Sequence, residues 1–178
     1  MKKKGVEETI NKKPAYTTFD TMDVLDIEKP RLMQWMRDGL LPKGKKVEFG
    51  SMKKTMFTFK EICLIAVFKL LLDRGVKKTP AAKIIKAIEK DWEKRPPSYL
   101  VVANGPDGLY HQVWEEKYID FLLVKIAAIY VNFSELESEL IWRIKNLKAN
   151  KPFYDIGEKP RWTRKELEEF LIKDPPIK

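Results

Sequence analysis

The chain has 178 residues, 44% of them hydrophobic, enough to bury a core in one domain or two small ones. Its 35 Lys and Arg against 26 Asp and Glu give a formal net charge of +9, and 34% charged residues favour a soluble protein. A single cysteine, Cys63, excludes an intrachain disulfide, and the longest apolar run, Ile62 to Leu72, is interrupted by Lys69 and too short to span a bilayer. The charge is unevenly placed. Residues 1–96 hold 23 Lys and Arg against 13 Asp and Glu, a surplus of +10, while residues 97–178 hold 12 against 13, or −1, and the two sum to +9. A basic half joined to a neutral half points to a polyanionic partner, with a solubilising surface as the alternative that charge alone leaves open. The Lys-rich start, Met1 to Lys4, is followed by Gly5-Val6-Glu7-Glu8 rather than an apolar stretch. A cytoplasmic location and no membrane partner are the expectation.

In chain order, residues 1–14 are polar and Lys-rich and close at Pro14, the composition of a disordered basic arm. Thr17 or Thr18 can cap a short helix running to Leu25, and a brief turn leads to a second helix over Glu28–Asp38. Pro30 fits its first turn and Gly39 stops it. Residues 43–57 have a hairpin pattern: Val47 and Phe49 alternate with charged neighbours, Gly50-Ser51 supply the turn, and Met56 and Phe57 end the second arm. Thr58 and Glu61 have the spacing of a capping box, and the helix they open is apolar on most sides to Leu72, as a central core helix is. Gly75 is its stop. Another helix runs from Thr79-Pro80 to Trp92, and Lys94-Arg95-Pro96-Pro97 reads as a linker.

The second half changes character. Tyr99–Ala103 and Leu109–Trp114 are β-rich around the turn signal Asn104-Gly105-Pro106-Asp107-Gly108. A short helix is expected near Glu116–Val124, a strand over Ala128–Phe133, and a helix over Glu135–Lys148 behind a second capping box, Ser134 to Glu137. That helix carries the stripe Leu136, Leu140, Ile144 and Leu147, with Ile141 beside it. Two fates fit the stripe: a symmetric dimer interface, or packing on the strand of the same chain. A third capping box, Thr163 to Glu166, opens a tail helix to Ile172.

Helix, tight turn, helix, basic hairpin and core helix, in that order, make a winged helix-turn-helix. Tyr16-Thr17-Thr18, Val24-Leu25-Asp26-Ile27, Leu32, Trp35 and Arg37-Asp38-Gly39-Leu40-Leu41-Pro42 resemble the opening of MerR-like DNA-binding domains. Phe57-Thr58-Phe59-Lys60-Glu61 through Leu71-Leu72-Asp73-Arg74-Gly75-Val76 is similar to that family's third helix and the glycine after it, so the resemblance covers residues 16–90. It implies a second helix in the major groove and a hairpin wing on the backbone. The sequence supports this placement on its own terms. At 100° per residue, Leu32, Trp35 and Met36 share the core side of the second helix, and Met33, Gln34 and Arg37 the opposite side, with Lys29 and Arg31 on the flanks. Gln34 has the geometry for adenine and Arg37 for guanine. Lys43, Lys45, Lys46, Lys53 and Lys54 crowd the hairpin against Glu48 alone, a repulsion that a polyanion relieves. The bland alternative is a solvated face. The chain departs from the family in having Met33-Gln34-Trp35 where an arginine and aromatic residues are usual, and in placing a hairpin, helix and strand before its last long helix.

Other chemistry has little to stand on. His111 is the one histidine and lies in a predicted strand; with one cysteine the chain lacks the ligands of a structural zinc site or a thiol nucleophile with its base. The aromatics Tyr110, Trp114, Tyr118, Phe121 and Tyr130 are read as core filling, with an effector pocket as the alternative. The sequence therefore predicts an α+β, mainly α chain: a basic arm (1–14), a MerR-like winged helix-turn-helix (15–95), a small α+β domain for dimerisation or effector binding (98–149) and a tail (150–178). It predicts a non-enzymatic, cofactor-free regulator of transcription binding duplex DNA as a homodimer, with RNA polymerase or another protein as a further partner. The contrasting expectation is an architectural or assembly adaptor, excisionase-like or accessory to segregation, holding a protein through its C-terminal half.

Overall fold

A computed structural model describes residues 16–49, 51–92, 97–105, 108–114 and 129–148. They form an α+β fold dominated by helix, with five helices and two three-stranded antiparallel sheets among the described residues. The elements are β1 (Tyr16–Thr17), α1 (Thr18–Leu25), α2 (Lys29–Arg37), β2 (Lys45–Phe49), β3 (Met52–Phe57), α3 (Phe59–Asp73), α4 (Lys78–Trp92), β4 (Tyr99–Gly105), β5 (Gly108–Trp114), β6 (Ile129–Asn132) and α5 (Phe133–Lys148). The arm, the linker 93–96, the helix expected near Glu116–Val124 and the tail helix lie outside the described residues. Contacts divide the chain into two compact units, one of residues up to Cys63 together with those from Glu137 on, the other Leu64–Leu136.

In the first unit the helix ends are set locally. Thr17 caps α1: its hydroxyl accepts from the Asp20 amide at 3.2 Å while the Asp20 carboxylate takes the Thr17 N–H at 2.7 Å. The helix ends at Asp26 in the left-handed region, φ 50°, a conformation that aspartate tolerates better than most residues. Lys29-Pro30 open α2, where the missing proline N–H costs nothing. A Schellman motif closes it: the Gly39 N–H reaches the Met36 carbonyl and the Leu40 N–H that of Trp35, at 3.1 and 3.0 Å, with Gly39 at φ +68°. The sheet order is β1-β3-β2. β1 was not expected: Tyr16 and Thr17 pair with Phe57 and Met56, so the residues that lead into α1 also extend the hairpin. Two residues are too few for a period-2 signal.

Thr58 and Glu61 form the expected capping box, with the Thr58 N–H donating to Glu61 Oε2 at 2.7 Å and the Glu61 N–H to Thr58 Oγ1 at 3.1 Å. Every residue of α3 from Ile62 to Phe68 is buried, as the all-round apolar pattern requires. Its end repeats the device of α2, with the Gly75 and Val76 N–H groups bonding the Leu72 and Leu71 carbonyls at 2.9 Å each.

In the second unit α4 buries the stripe Ala81, Ile84, Ile85, Ile88 and Trp92. The sheet has the order β5-β4-β6, and Leu100, Val102, Ile129 and Val131 fill its buried face. Phe133 meets Trp92 edge to face at 5.4 Å, and its N–H donates to the Ser98 carbonyl at 2.9 Å. The helix after β6 starts one residue earlier than Ser134. Its cap is Asn132, whose Oδ1 accepts from the Ser134 and Glu135 amides at 3.0 and 3.4 Å, so the cap lies two residues before the expected Ser134. Asparagine is as good a cap as serine, and it stands where the strand must end.

α5 carries the stripe that two fates fitted. Leu140, Ile141 and Ile144 are buried by the chain's own residues, at 2%, 0% and 4% exposure, whereas Leu136 and Leu147 are half-buried. Leu140 and Ile144 are thus core residues, and of the stripe only Leu136 and Leu147 keep partly accessible surface. Within the first unit, Arg143 donates to the Val24 carbonyl in the last turn of α1 at 3.1 Å and to Glu139 at 2.7 Å. It satisfies a carbonyl that a helix end leaves without a partner. Leu140→Glu with Ile144→Glu should cost at least about 4 kcal/mol and abolish the cooperative thermal transition, because a carboxylate there has no solvent. Arg143→Ala should lower stability by about 1–2 kcal/mol in denaturant melts with no loss of helix content in α5.

Candidate nucleic-acid interface

The outward face of α2 follows from what its inward face buries. Leu32 and Trp35 are 0% and 1% exposed, and Met36 is half-buried. The turn of the helix then sends Gln34 and Arg37 to the exposed side, where Lys29, Arg31 and Met33 also lie. Two of the flanking cations are held over aromatic rings: Lys29 Nζ lies 4.8 Å from the Phe19 centroid and the Arg31 guanidinium 4.9 Å from that of Trp35. Phe19 is 60% exposed in the first turn of α1. Sequence reasoning passed over it, since an aromatic in an amphipathic helix reads as core; only its partner Lys29 distinguishes it.

The hairpin is pinned at its base by Gly44, φ +65°. A Cβ there would come 2.8 Å from the Met56 carbonyl oxygen, 2.9 Å from Thr55 Cγ2 and 3.0 Å from the Phe57 ring. Only glycine lets the chain leave Lys43 and pass this close to β3. From Lys45↔Met56 to Phe49↔Met52 the register is regular. The pleat therefore puts Lys46, Glu48, Lys53 and Thr55 on one face, and Lys45, Val47 and Lys54 on the other. The lysines clothe both faces of the hairpin rather than one. Lys43, Lys45, Lys46, Lys53 and Lys54 are all exposed. Glu48 pairs with Lys53 directly opposite at 3.1 Å, and with both side chains about 70% exposed the pair contributes little to stability.

Thr17 and Thr18 fare differently from the cations. The Thr17 hydroxyl is taken up by the α1 cap, donating to Asp20 Oδ2 at 2.7 Å while accepting from the Asp20 amide, so it holds the helix rather than an open surface. Thr18 is half-buried in the first turn. The opposite charge gathers at the α1–α2 turn, where Asp23, Asp26 and Glu28 line an open cavity of about 360 Å³ with Met22, Ile27 and Leu147.

Among the described residues no three His, Cys, Asp or Glu side chains come together as a metal site requires. None of the helices there is long and apolar enough to cross a membrane. His111 pairs with Val102 in the β4–β5 ladder. Cys63 is fully buried; burial first, then the nearby Glu137 carboxylate, pushes its thiol well above the ordinary range. Burial also raises the Tyr16 phenol, with Cys63 and Asp20 adding to the effect. The chain matches no protein-family model and no curated protein.

Two outcomes follow. Gly44→Ala should destabilise the protein by about 1–3 kcal/mol in denaturant melts, through the left-handed backbone and the contact with β3. Cys63 should resist a disulfide reagent at about pH 8.5 until denaturant unfolds the chain. Because its thiol is raised in the folded state, the stability it contributes is complete below the ordinary thiol range and declines as pH climbs through and beyond it. Melts on both sides of that range, compared with Cys63→Ala, measure this loss.

Proposed function

We propose that this chain is a winged helix-turn-helix protein of MerR-like type that binds a specific site on double-stranded DNA and regulates transcription. What supports the reading most is one juxtaposition within the first unit. A helix whose inward face is locked by Leu32 and Trp35 presents Gln34 and Arg37 outward, and it is followed at once by a lysine-clothed hairpin on a three-stranded sheet. α2 lies in the major groove, with Arg37 reading guanine and Gln34 adenine. The hairpin rides beside it and touches phosphates, which fix position without reading sequence. Lysines on both of its faces suit that role, since a wing that tracks the backbone meets phosphates on either side.

Lys29 and Arg31, held over Phe19 and Trp35, lie on the flanks of the exposed face of α2, where they can take phosphates. The acidic turn Asp23, Asp26 and Glu28 must face away from the duplex. A pair of chains on a two-fold site fits this class of protein, and they would meet through residues other than Leu140 and Ile144, which lie in each chain's own core.

Three or four phosphate contacts per chain give a slope of log affinity against log salt of about −3, or about −6 for two chains on one site. Fluorescence anisotropy over a salt series measures it, and a slope near zero removes the DNA reading. On a duplex selected from a random pool, Arg37→Ala should cost about 1–3 kcal/mol and much less on a scrambled duplex. Lys46→Ala should weaken both alike and flatten the slope by about one. Glu48→Gln, which frees Lys53 from its partner, should tighten both and steepen the slope. Equal losses on both duplexes for Arg37→Ala would transfer the assignment to a sequence-indifferent adaptor.

A further inference from the structure

Met33 is the one large apolar side chain exposed on α2, at 39%. Isolated exposed methionines are common and mean little by themselves. The setting of this one is specific. Lys29 stands four residues before it and Arg37 four residues after, so an exposed row of cation, thioether and cation runs about 12 Å along the helix. The buried side is already filled by Leu32 and Trp35, and Met33 has no route inward. A face used only for solubility or for gripping phosphates would carry a polar or basic residue at the middle of that row.

Resting on the reading that α2 lies in the major groove, we propose that Met33 is a specificity-determining residue that packs on the 5-methyl group of a thymine. Base edges in that groove offer N7, O6 and O4 acceptors and N4 and N6 amino donors, and the thymine methyl is its only apolar feature. Against any other edge the thioether would cover a donor or acceptor without replacing the lost water, which penalises the wrong base. The unbranched, polarizable side chain can reach the methyl from a helix whose position is fixed by its flanking cations. Gln34, the next residue, would take an adenine, so the site read by the middle of α2 is rich in T·A pairs.

The test compares two versions of one duplex selected from a random pool: the natural form, and a form in which every thymine is replaced by deoxyuridine, which lacks only the methyl. Wild type should bind the deoxyuridine duplex about fourfold more weakly for each methyl that Met33 covers. Met33→Ala should lose the same factor on the thymine duplex and show no difference between the two. Met33→Leu should restore most of the discrimination. Met33 is exposed, so circular dichroism melts should be unchanged by either substitution, and the deoxyuridine arm needs no substitution at all. Wild type binding both duplexes equally, with its salt slope and its preference over a scrambled duplex intact, would overturn the role of Met33 and leave the DNA reading standing. No binding to any duplex at low salt would overturn both.

Discussion

Leu32 and Trp35 are closed into the core to within 1% of complete burial, and the functional reading of this chain hangs on that anchor. A helix of nine residues, Lys29–Arg37, has little rotational freedom once two large side chains three positions apart are packed. Its outward residues are fixed as a consequence, whatever they are. Gln34 and Arg37 are exposed there, so their identity is not set by packing, and the proposed recognition role rests on that freedom. The anchor also explains Arg31, whose guanidinium rests on the rim of the same Trp35 ring, so one side chain both holds the helix and places a charge beside it.

The hairpin is the second constraint, and it works by geometry and charge in opposite senses. Gly44 lets the chain entering β2 come within contact of Met56 in β3, and β3 pairs in turn with Tyr16 and Thr17 at the start of α1. The charges strain against this. Five lysines crowded on one hairpin repel, and the exposed Lys53–Glu48 pair relieves only a small part of it. A fold that keeps such a surface gives up some stability in the free state. On the proposed DNA reading, phosphates would recover that cost on binding, which is why a lysine-rich hairpin bears more directly on that proposal than the net charge of the chain does.

Much of this was legible in the sequence because the signals were local. The Thr58–Glu61 box, the glycines closing α2 and α3, and the all-apolar α3 each involve residues within a few positions of one another. What was not legible depends on distance along the chain. β1 exists because Phe57 and Met56 offer an edge to Tyr16 and Thr17, forty residues away and only two residues long. Asn132 displaced Ser134 as the cap because the strand before it ends there, and strand ends carry no strong signature. For the interface, residue type and helical angle placed the cations and Gln34 on the open side correctly. They could not show that the Thr17 hydroxyl is spent on a cap, or that Phe19 lies under Lys29.

The fate of α5 has the widest consequence. An apolar stripe on a helix states only that it must be covered, and the same pattern serves a dimer or a core. Here Leu140, Ile141 and Ile144 are covered within the chain, and Arg143 bonds the Val24 carbonyl 119 positions away. That bond reaches the last turn of α1, a few residues before the helix that presents Gln34 and Arg37. A segment near the C-terminal end of the described residues therefore helps to hold the end of α1 just before α2, and the compact unit containing α2 includes residues from Glu137 on. The compact unit that carries α2 is consequently discontinuous in sequence. An N-terminal fragment ending before α5 would keep every residue proposed to touch DNA while losing the guanidinium that caps α1, and its α2 would be held less firmly than in the whole chain.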